Sequence, residues 1–332
     1  MHSSGEYLYL TAFREEEGYT SLYDLDLYDF ATEEYETLAD LGSDCYYYFE
    51  IDDRFYTTSS VIHYESHRLK CFDKNKLSTP LGNKSFSSVD RMNGKILIQN
   101  DLKISCYEEG REVGFFNVES DFAGFVWTSP KQNVAILLYT KYDEDEEEVD
   151  WDYPGTYYLV TFDDFYNIIE KKPILQETEI VKYGYFLPGR ENELIYTKAV
   201  DANGDNVVDY NDKRNVTILS MDLKTLESYV VCDEPMEIRD LQVHPSGRIF
   251  FYDETEEDQG GNLWFINRKN NAKHVVMNLK DGCYQNFRLD KDWTKLVYVN
   301  VLDTTGDGKR YSWEDDSQIY LVDLKGLMEN KF

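Results

Sequence analysis

The stretch "DANGDNVVDYND" at residues 201–212 is dense in side-chain oxygens, and their spacing suits a hard cation. Calcium takes six to eight oxygen ligands, and a twelve-residue loop delivers them from positions 1, 3, 5, 7 (through a backbone carbonyl), 9 and 12. Here those positions are Asp201, Asn203, Asp205, the Val207 carbonyl, Asp209 and Asp212, with the apolar Val208 at position 8. Asn206 stands at position 6, where the sharp turn usually has glycine; Asn also enters left-handed backbone conformations. A second loop, "DTTGDGKRYSWEDD" at 303–316, offers Asp303, Thr305, Asp307 and the Lys309 carbonyl, with Gly308 at the turn. Its closing ligand is open between Glu314, Asp315 and Asp316, of which Glu314 is taken here. A third, "YDEDEEEVDWDYPG" at 142–155, supplies Asp143, Asp145 and Glu147 but has no glycine at the turn, and Pro154 at position 12 has no ligating side chain. The competing reading is a solvated hairpin, since Asp, Asn and Gly favour turns for backbone reasons alone. That reading is favoured for 143–152 and evenly balanced against calcium for 201–212.

Other chemistry has fewer candidates. In "HYESH", His63, Glu65 and His67 share one face if the segment is a strand, a pattern compatible with a two-His-one-carboxylate metal site. Alternate side chains on one flat strand stand about 6.8 Å apart, so three polar residues on a wet face is the favoured alternative. His244 and His274 read as turn and surface residues. The chain has no Gly-x-Ser-x-Gly elbow, HExxH, P-loop or GxGxxG. With 64 Asp and Glu, a pair of carboxylates at glycosidase separation carries no signal by itself.

The elements that must position these residues repeat along the chain. A turn followed by a strongly apolar strand recurs as "FEIDDRFYTTS" (49–59), "VDRMNGKILIQN" (89–100), "WTSPKQNVAILLYTK" (127–141), "FLPGRENELIYTK" (186–198), "VHPSGRIFFYDE" (243–254) and "LDKDWTKLVYVN" (289–300). An alternating strand ending in Asp-Leu or similar follows, as in "TSLYDLDL", "TYYLVTFD", "VTILSMDL" and "QIYLVDL". Period-two alternation without helical periodicity makes the chain all-β, and a repeat of roughly 40–50 residues is the size of a four-stranded antiparallel propeller blade. Blades are expected at 6–40, 44–80, 84–117, 121–173, 179–232, 237–277 and 283–332, seven in all, with six as the alternative. No composition shift marks a second domain, so residues 1–332 are expected to form one propeller.

"HPSGRIFF" at 244–251 resembles the turn joining the first two strands of TolB-like and WD-repeat-like propeller blades, and "SPKQN" and "LPGRE" are weaker versions. The resemblance covers nearly the whole chain and implies architecture rather than activity. The 201–212 loop in turn resembles EF-hand and dockerin calcium loops inserted in a blade hairpin.

Charge sets the expected partners. A net charge of −30 repels phosphate backbones and anionic lipid surfaces, which argues against nucleic acid and membranes and leaves a basic or mixed-charge protein or peptide. Five Cys, widely spaced and odd in number, indicate free thiols rather than a disulfide framework. "MHSSGEYLYLTAF" lacks a charged segment leading into an apolar one, so a cytoplasmic location is expected, the alternative being an exported protein whose leader has been removed. These features lead to the expectation of a non-enzymatic interaction module, such as a regulatory subunit. The alternative is an enzyme or carbohydrate-binding propeller using acidic residues at the axial channel.

Overall fold

Alternation along the strands predicts which face of each is hidden, and β-strand burial follows it closely. Val216–Asp222 hides Val216, Ile218 and Ser220 and leaves Thr217 and Leu219 partly open. The computed structural model describes residues 7–15, 21–42, 48–51, 54–60, 67–73, 76–81, 86, 88–119, 122–139, 155–175, 183–187, 190, 192–201, 204–206, 208, 212, 215–244, 248–254, 261–268, 270–279, 283–290, 292–302, 304–306 and 317–325. Among these, 26 strands form seven antiparallel sheets, each a meander of strands consecutive in sequence.

The first sheet contains β1 (Tyr7–Glu15), β2 (Ser21–Asp29) and β3 (Glu34–Gly42). The second has β4 (Tyr48–Ile51), β5 (Arg54–Ser60), β6 (His67–Asp73) and β7 (Lys76–Ser78); the third has β8 (Ser88–Met92), β9 (Lys95–Asn100), β10 (Lys103–Glu108) and β11 (Arg111–Asn117). The fourth is β12 (Phe122–Thr128), β13 (Val134–Tyr139), β14 (Thr156–Phe162) and β15 (Ile168–Leu175). Next come β16 (Gly184–Phe186), β17 (Glu193–Ala199), β18 (Val216–Asp222) and β19 (Ser228–Met236), then β20 (Ile238–Val243), β21 (Ile249–Glu254), β22 (Gly261–Asn267) and β23 (Ala272–Leu279). The last sheet is β24 (Cys283–Leu289), β25 (Lys295–Val301) and β26 (Ser317–Asp323). The chain is all-β with antiparallel blades as expected; among the described residues five sheets have four strands and the first and last have three.

The recurrent Asp at the end of each alternating strand has a structural cause. Asp29, Asp163, Asp222 and Asp323 each turn a side-chain Oδ1 back to accept a backbone N–H two residues on, at 2.7, 2.8, 2.8 and 2.9 Å. This local bond builds the hairpin into the following segment and explains why Asp recurs there. At the β8–β9 hairpin, Asn93 and Gly94 both have positive φ, 49° and 72°, as a two-residue turn that follows the strand twist requires.

The chain divides into two compact units, Met1–Leu137 with Leu159–Lys172, and Leu138–Tyr158 with Pro173–Phe332. In the first, Ile51, Leu69 and Tyr56 from the second sheet pack with Val89, Ile96 and Ile98 from the third. Gly114 allows the turn after β14 to approach β11, since a Cβ there would sit 2.7 Å from the Phe165 carbonyl oxygen. In the second unit, Ile195 and Ile218 meet Leu241, Phe251 and Ile266 across two sheets, and Phe250 packs edge-on against Trp293, between β24 and β25, at 4.7 Å.

One buried ion pair ties those same two sheets together. Glu193 Oε1, at the start of β17, accepts hydrogen bonds from Arg268 Nη2 at 2.6 Å, Ser220 Oγ at 2.6 Å and Tyr229 OH at 2.7 Å. Only 9% of the Arg268 side chain and 13% of the Glu193 side chain remain exposed. Burial pushes the Glu193 carboxyl upward, but Ser220, Tyr229 and Arg268 outweigh it and hold it below its ordinary range. Removing one member of a buried pair strands the other, so Arg268→Ala is expected to lower unfolding stability by about 3 kcal/mol in urea titration. Because the folded carboxyl is depressed, the pair's contribution is complete above about pH 4.3, the unfolded glutamate value, and is lost as pH falls through the folded one. The same substitution should therefore flatten the acid limb of the stability curve.

Candidate functional site

The 201–212 hairpin adopts part of the expected geometry. Asp201 accepts a backbone N–H on each oxygen, from Gly204 at 2.6 Å and from Asn206 at 2.8 Å. Asn206 has φ of 69°, the left-handed conformation that position 6 of a calcium loop requires. Asp205 is exposed, whereas Asp212 is buried at 1% and its carbonyl accepts the Asn215 N–H at 2.8 Å. Asn203, Val207 and Asp209 lie outside the described residues. In the second loop Thr305 is exposed and Gly306 has φ of 76°, while Asp303, Asp307, Lys309 and Glu314 lie outside the described residues. So do 142–152, His63 and Glu65; His67 opens β6, and its side chain is not described. Among the described residues no three His, Cys, Asp or Glu side chains are grouped to hold a metal. His244 follows β20; its backbone N–H donates to the Arg248 carbonyl at 2.9 Å and its ring meets Trp293 edge-on at 4.5 Å. His274 sits in β23, partly buried beside Phe265, rather than on an open surface.

A different cluster is assembled by the tertiary structure. β16, β20 and β24 are the first strands of three successive sheets in the second unit, each an edge strand of its sheet. Asp240 on β20 lies 2.9 Å from Arg288 on β24, Oδ2 to Nη1. Arg288 Nη1 also donates to the Phe287 carbonyl at 2.7 Å, and Gln242 Nε2 donates to that same oxygen at 2.6 Å. Tyr185 on β16 completes the group electrostatically, being shifted by both Asp240 and Arg288.

Two register breaks aim these side chains. β20 slips against β21 between Ile238 and Asp240, and β24 slips against β25 between Cys283 and Phe287. An extra residue in an edge strand bends it and redirects the side chains beside it, and such bulges are frequent next to active sites.

Burial is the largest influence on both titratable groups, Asp240 and Tyr185. Burial pushes the Asp240 carboxyl up to about 6, against the pull of the Arg288 guanidinium and of backbone N–H groups. The Tyr185 phenol is pushed well above its ordinary value, by burial first and by Asp240 second, so it stays protonated at neutral pH. In the first unit, burial likewise raises Asp90 on β8 to about 6, opposed by the Arg91 N–H at 2.6 Å and by Thr128. A carboxyl near 6 exchanges protons at neutral pH far more readily than an ordinary aspartate at about 3.9.

Sequence reading passed over Asp240, Arg288 and Tyr185. The available signal was weak: a charged residue inside "IRDLQV" and another inside "CYQNFRL", where alternation leads one to expect core.

Neither a family model nor a curated protein matches this sequence. Solved structures match it by fold. The β-propeller domain of the Trilobed protease from Pyrococcus furiosus is 10% identical with a TM-score of 0.62, over 97% of this chain and 95% of that one. The oligogalacturonate lyase from Vibrio parahaemolyticus is 11% identical with a TM-score of 0.57, over 97% of this chain and 87% of that one. Another oligogalacturonate lyase structure, in complex with manganese, is 12% identical with a TM-score of 0.56, over 98% of this chain and 88% of that one. Puromycin hydrolase is 9% identical with a TM-score of 0.60, over 97% of this chain and 51% of that one.

These neighbours correct the expectation of a non-enzymatic interaction module. A lyase and a hydrolase are built with this fold, so the missing serine elbow and P-loop give no ground for excluding catalysis. The likeness to these structures shows the β-propeller fold.

The Asp240 environment predicts a direct observable. With 13C-labelled aspartate, the carboxyl resonance that disappears in Asp240→Asn should titrate near pH 6. In Arg288→Met it should titrate higher still, because the guanidinium is the strongest influence holding it down. A midpoint near 3.9 in the unaltered protein contradicts the assignment.

Proposed function

We propose that the chain is a propeller enzyme acting on a carbohydrate, with Asp240 as its proton-transfer group at the axial channel. The observation that carries this reading is a carboxyl raised to about 6 beside Arg288 and the neutral phenol of Tyr185, on the first strands of three consecutive blades. β16, β20 and β24 are the first strands of consecutive sheets within the second unit, which supports treating their side chains as one site. Ionised for the most part at pH 7, Asp240 serves as a general base, while Tyr185 keeps a proton to donate. The oligogalacturonate lyase neighbours support a sugar as the substrate class, and the manganese in one of them makes a divalent cation a condition to vary.

The test is turnover of oligogalacturonate and of neutral oligosaccharides, with and without manganese, followed by product chromatography. Activity is expected in the unaltered chain, reduced about a hundredfold or more in Asp240→Asn. The value of kcat/KM should fall as pH drops through about 6, because protonation removes the base. Turnover that Asp240→Asn leaves unchanged rejects the assignment.

The hairpin at 201–212 is proposed, separately, as a calcium site. The left-handed Asn206 at position 6 supports it. Asp201, Asn203, Asp205, the Val207 carbonyl, Asp209 and Asp212 would hold the ion, which supplies cross-linking of the hairpin rather than a chemical step. At a hundredfold excess over Kd, calcium should stabilise folding by about 2.7 kcal/mol, read as a rise in Tm over chelator that Asp205→Ala with Asp209→Ala abolishes. A Tm indifferent to calcium returns the loop to a solvated acidic turn.

A further inference from the structure

β18 and β22, third in their sheets, are each flanked by a fourth strand, whereas β26 is the third and last of its own. Among the described residues β26 pairs with β25 alone, in seven consecutive pairs from Val301↔Ser317 to Lys295↔Asp323. Gln318, Ile319, Tyr320 and Leu321 are all exposed, the last three at 39%, 36% and 43%. Successive side chains of a strand point to opposite faces, so exposure of four in a row opens both faces of this edge. The edge is ordered without a cover: the Tyr320 ring stacks on Tyr298 at 5.0 Å and its OH donates to Gln318 Oε1 at 2.7 Å.

The last strands of the other sheets are guarded against pairing. An exposed apolar edge invites another strand, and charges, proline, bulges or brevity discourage it. β3 and β19 slip twice against their neighbours, and β11 and β23 slip once. β15 holds Lys171, Lys172 and Pro173, and β7 is three residues long. β26 reads Ser-Gln-Ile-Tyr-Leu-Val-Asp, with no slip, no proline and its one charge at the end.

We infer that β26 pairs with β26 of a second copy of this chain, antiparallel about a two-fold axis at Tyr320. Tyr320 is the midpoint of Ser317–Asp323, so this antiparallel register alone uses the whole strand. It sets Ile319 opposite Leu321, Gln318 opposite Val322 and Asp323 opposite Ser317. No charge then faces its like, an arrangement that directly opposed strand residues penalise. The row from Gln318 to Val322 offers no charge to a cationic segment of a different protein, whereas it is complementary to itself. A two-fold pairing also closes, so neither edge is left to extend a filament. The rest of each molecule opposes the contact, because two bodies of net charge −30 repel. Salt screens that repulsion, the Debye length falling from about 30 Å at 0.01 M to about 8 Å at 0.15 M, and leaves the uncharged strand pair intact.

The test is sedimentation velocity on the full chain over a range of concentrations. A single strand pair is a small interface, so the monomer–dimer equilibrium is expected at micromolar rather than nanomolar protein. The dimer should tighten about fivefold or more as salt rises from about 0.01 M to about 0.15 M. Ile319→Lys with Leu321→Lys sets like charges face to face at two places and should weaken the dimer about tenfold or more; Ile319→Lys with Leu321→Glu sets opposite charges face to face and should retain it. Both positions are exposed, and thermal melts check that each double variant keeps its fold. A chain that stays monomeric at every concentration and salt overturns the inference. So does a dimer that weakens with salt, one indifferent to the pair of lysines, or open-ended aggregation in place of a dimer.

Discussion

Every sheet of this protein has two faces, and none can bury an apolar face alone. Ile195 and Ile218 are fully buried only because Leu241, Phe251 and Ile266 of the next sheet cover them, and Phe250 and Phe265 depend likewise on Phe287 and Leu296. Burying such side chains is worth about 1.5–3 kcal/mol each, and a lone four-stranded sheet would leave half of them in water. Stacking sheet on sheet is the constraint from which the repeat length, the strand alternation and the short hairpins follow.

Polar groups enter this apolar stack at a few places, and each is answered differently. Glu193 is satisfied three times over at one oxygen and held ionised by Arg268, a stable link between sheets. Asp240 has Arg288 too, yet burial outweighs that partner and leaves the carboxyl near 6. The same residue pairing thus gives a structural clasp in one place and a titratable group in the other. The difference lies in depth and in hydroxyl donors: Asp240 is only 9% exposed and burial is opposed there by Arg288 and backbone N–H groups, whereas the Ser220 and Tyr229 hydroxyls both reach Glu193. Net burial of a charge is costly unless hydrogen bonds replace the lost water.

The acidic hairpins belong to another regime, where local bonds dominate. Asp201, Asp163 and Asp222 all bend their carboxylates onto nearby backbone N–H groups, whether or not an ion is near. That shared habit explains why Asp and Asn spacing alone cannot separate a cation loop from a turn: the first shell of bonds is common to both.

What the sequence by itself determined is therefore what depends on neighbours along the chain. Period-two alternation gave the strands, Asn93-Gly94 and the terminal Asp residues gave the hairpins, and the left-handed Asn206 was legible from its place in the loop. The His63–Glu65–His67 idea rested on the same local logic. Tyr185, Asp240 and Arg288 are a different matter, since about fifty residues separate each from the next and none sits in a motif. Stacking of three sheets brings them together, two register breaks aim them, and burial sets their acidities. Desolvation is a property of the assembled interior, so no spacing along the chain encodes it, and only the tertiary structure decided which of 64 acidic residues would be unusual.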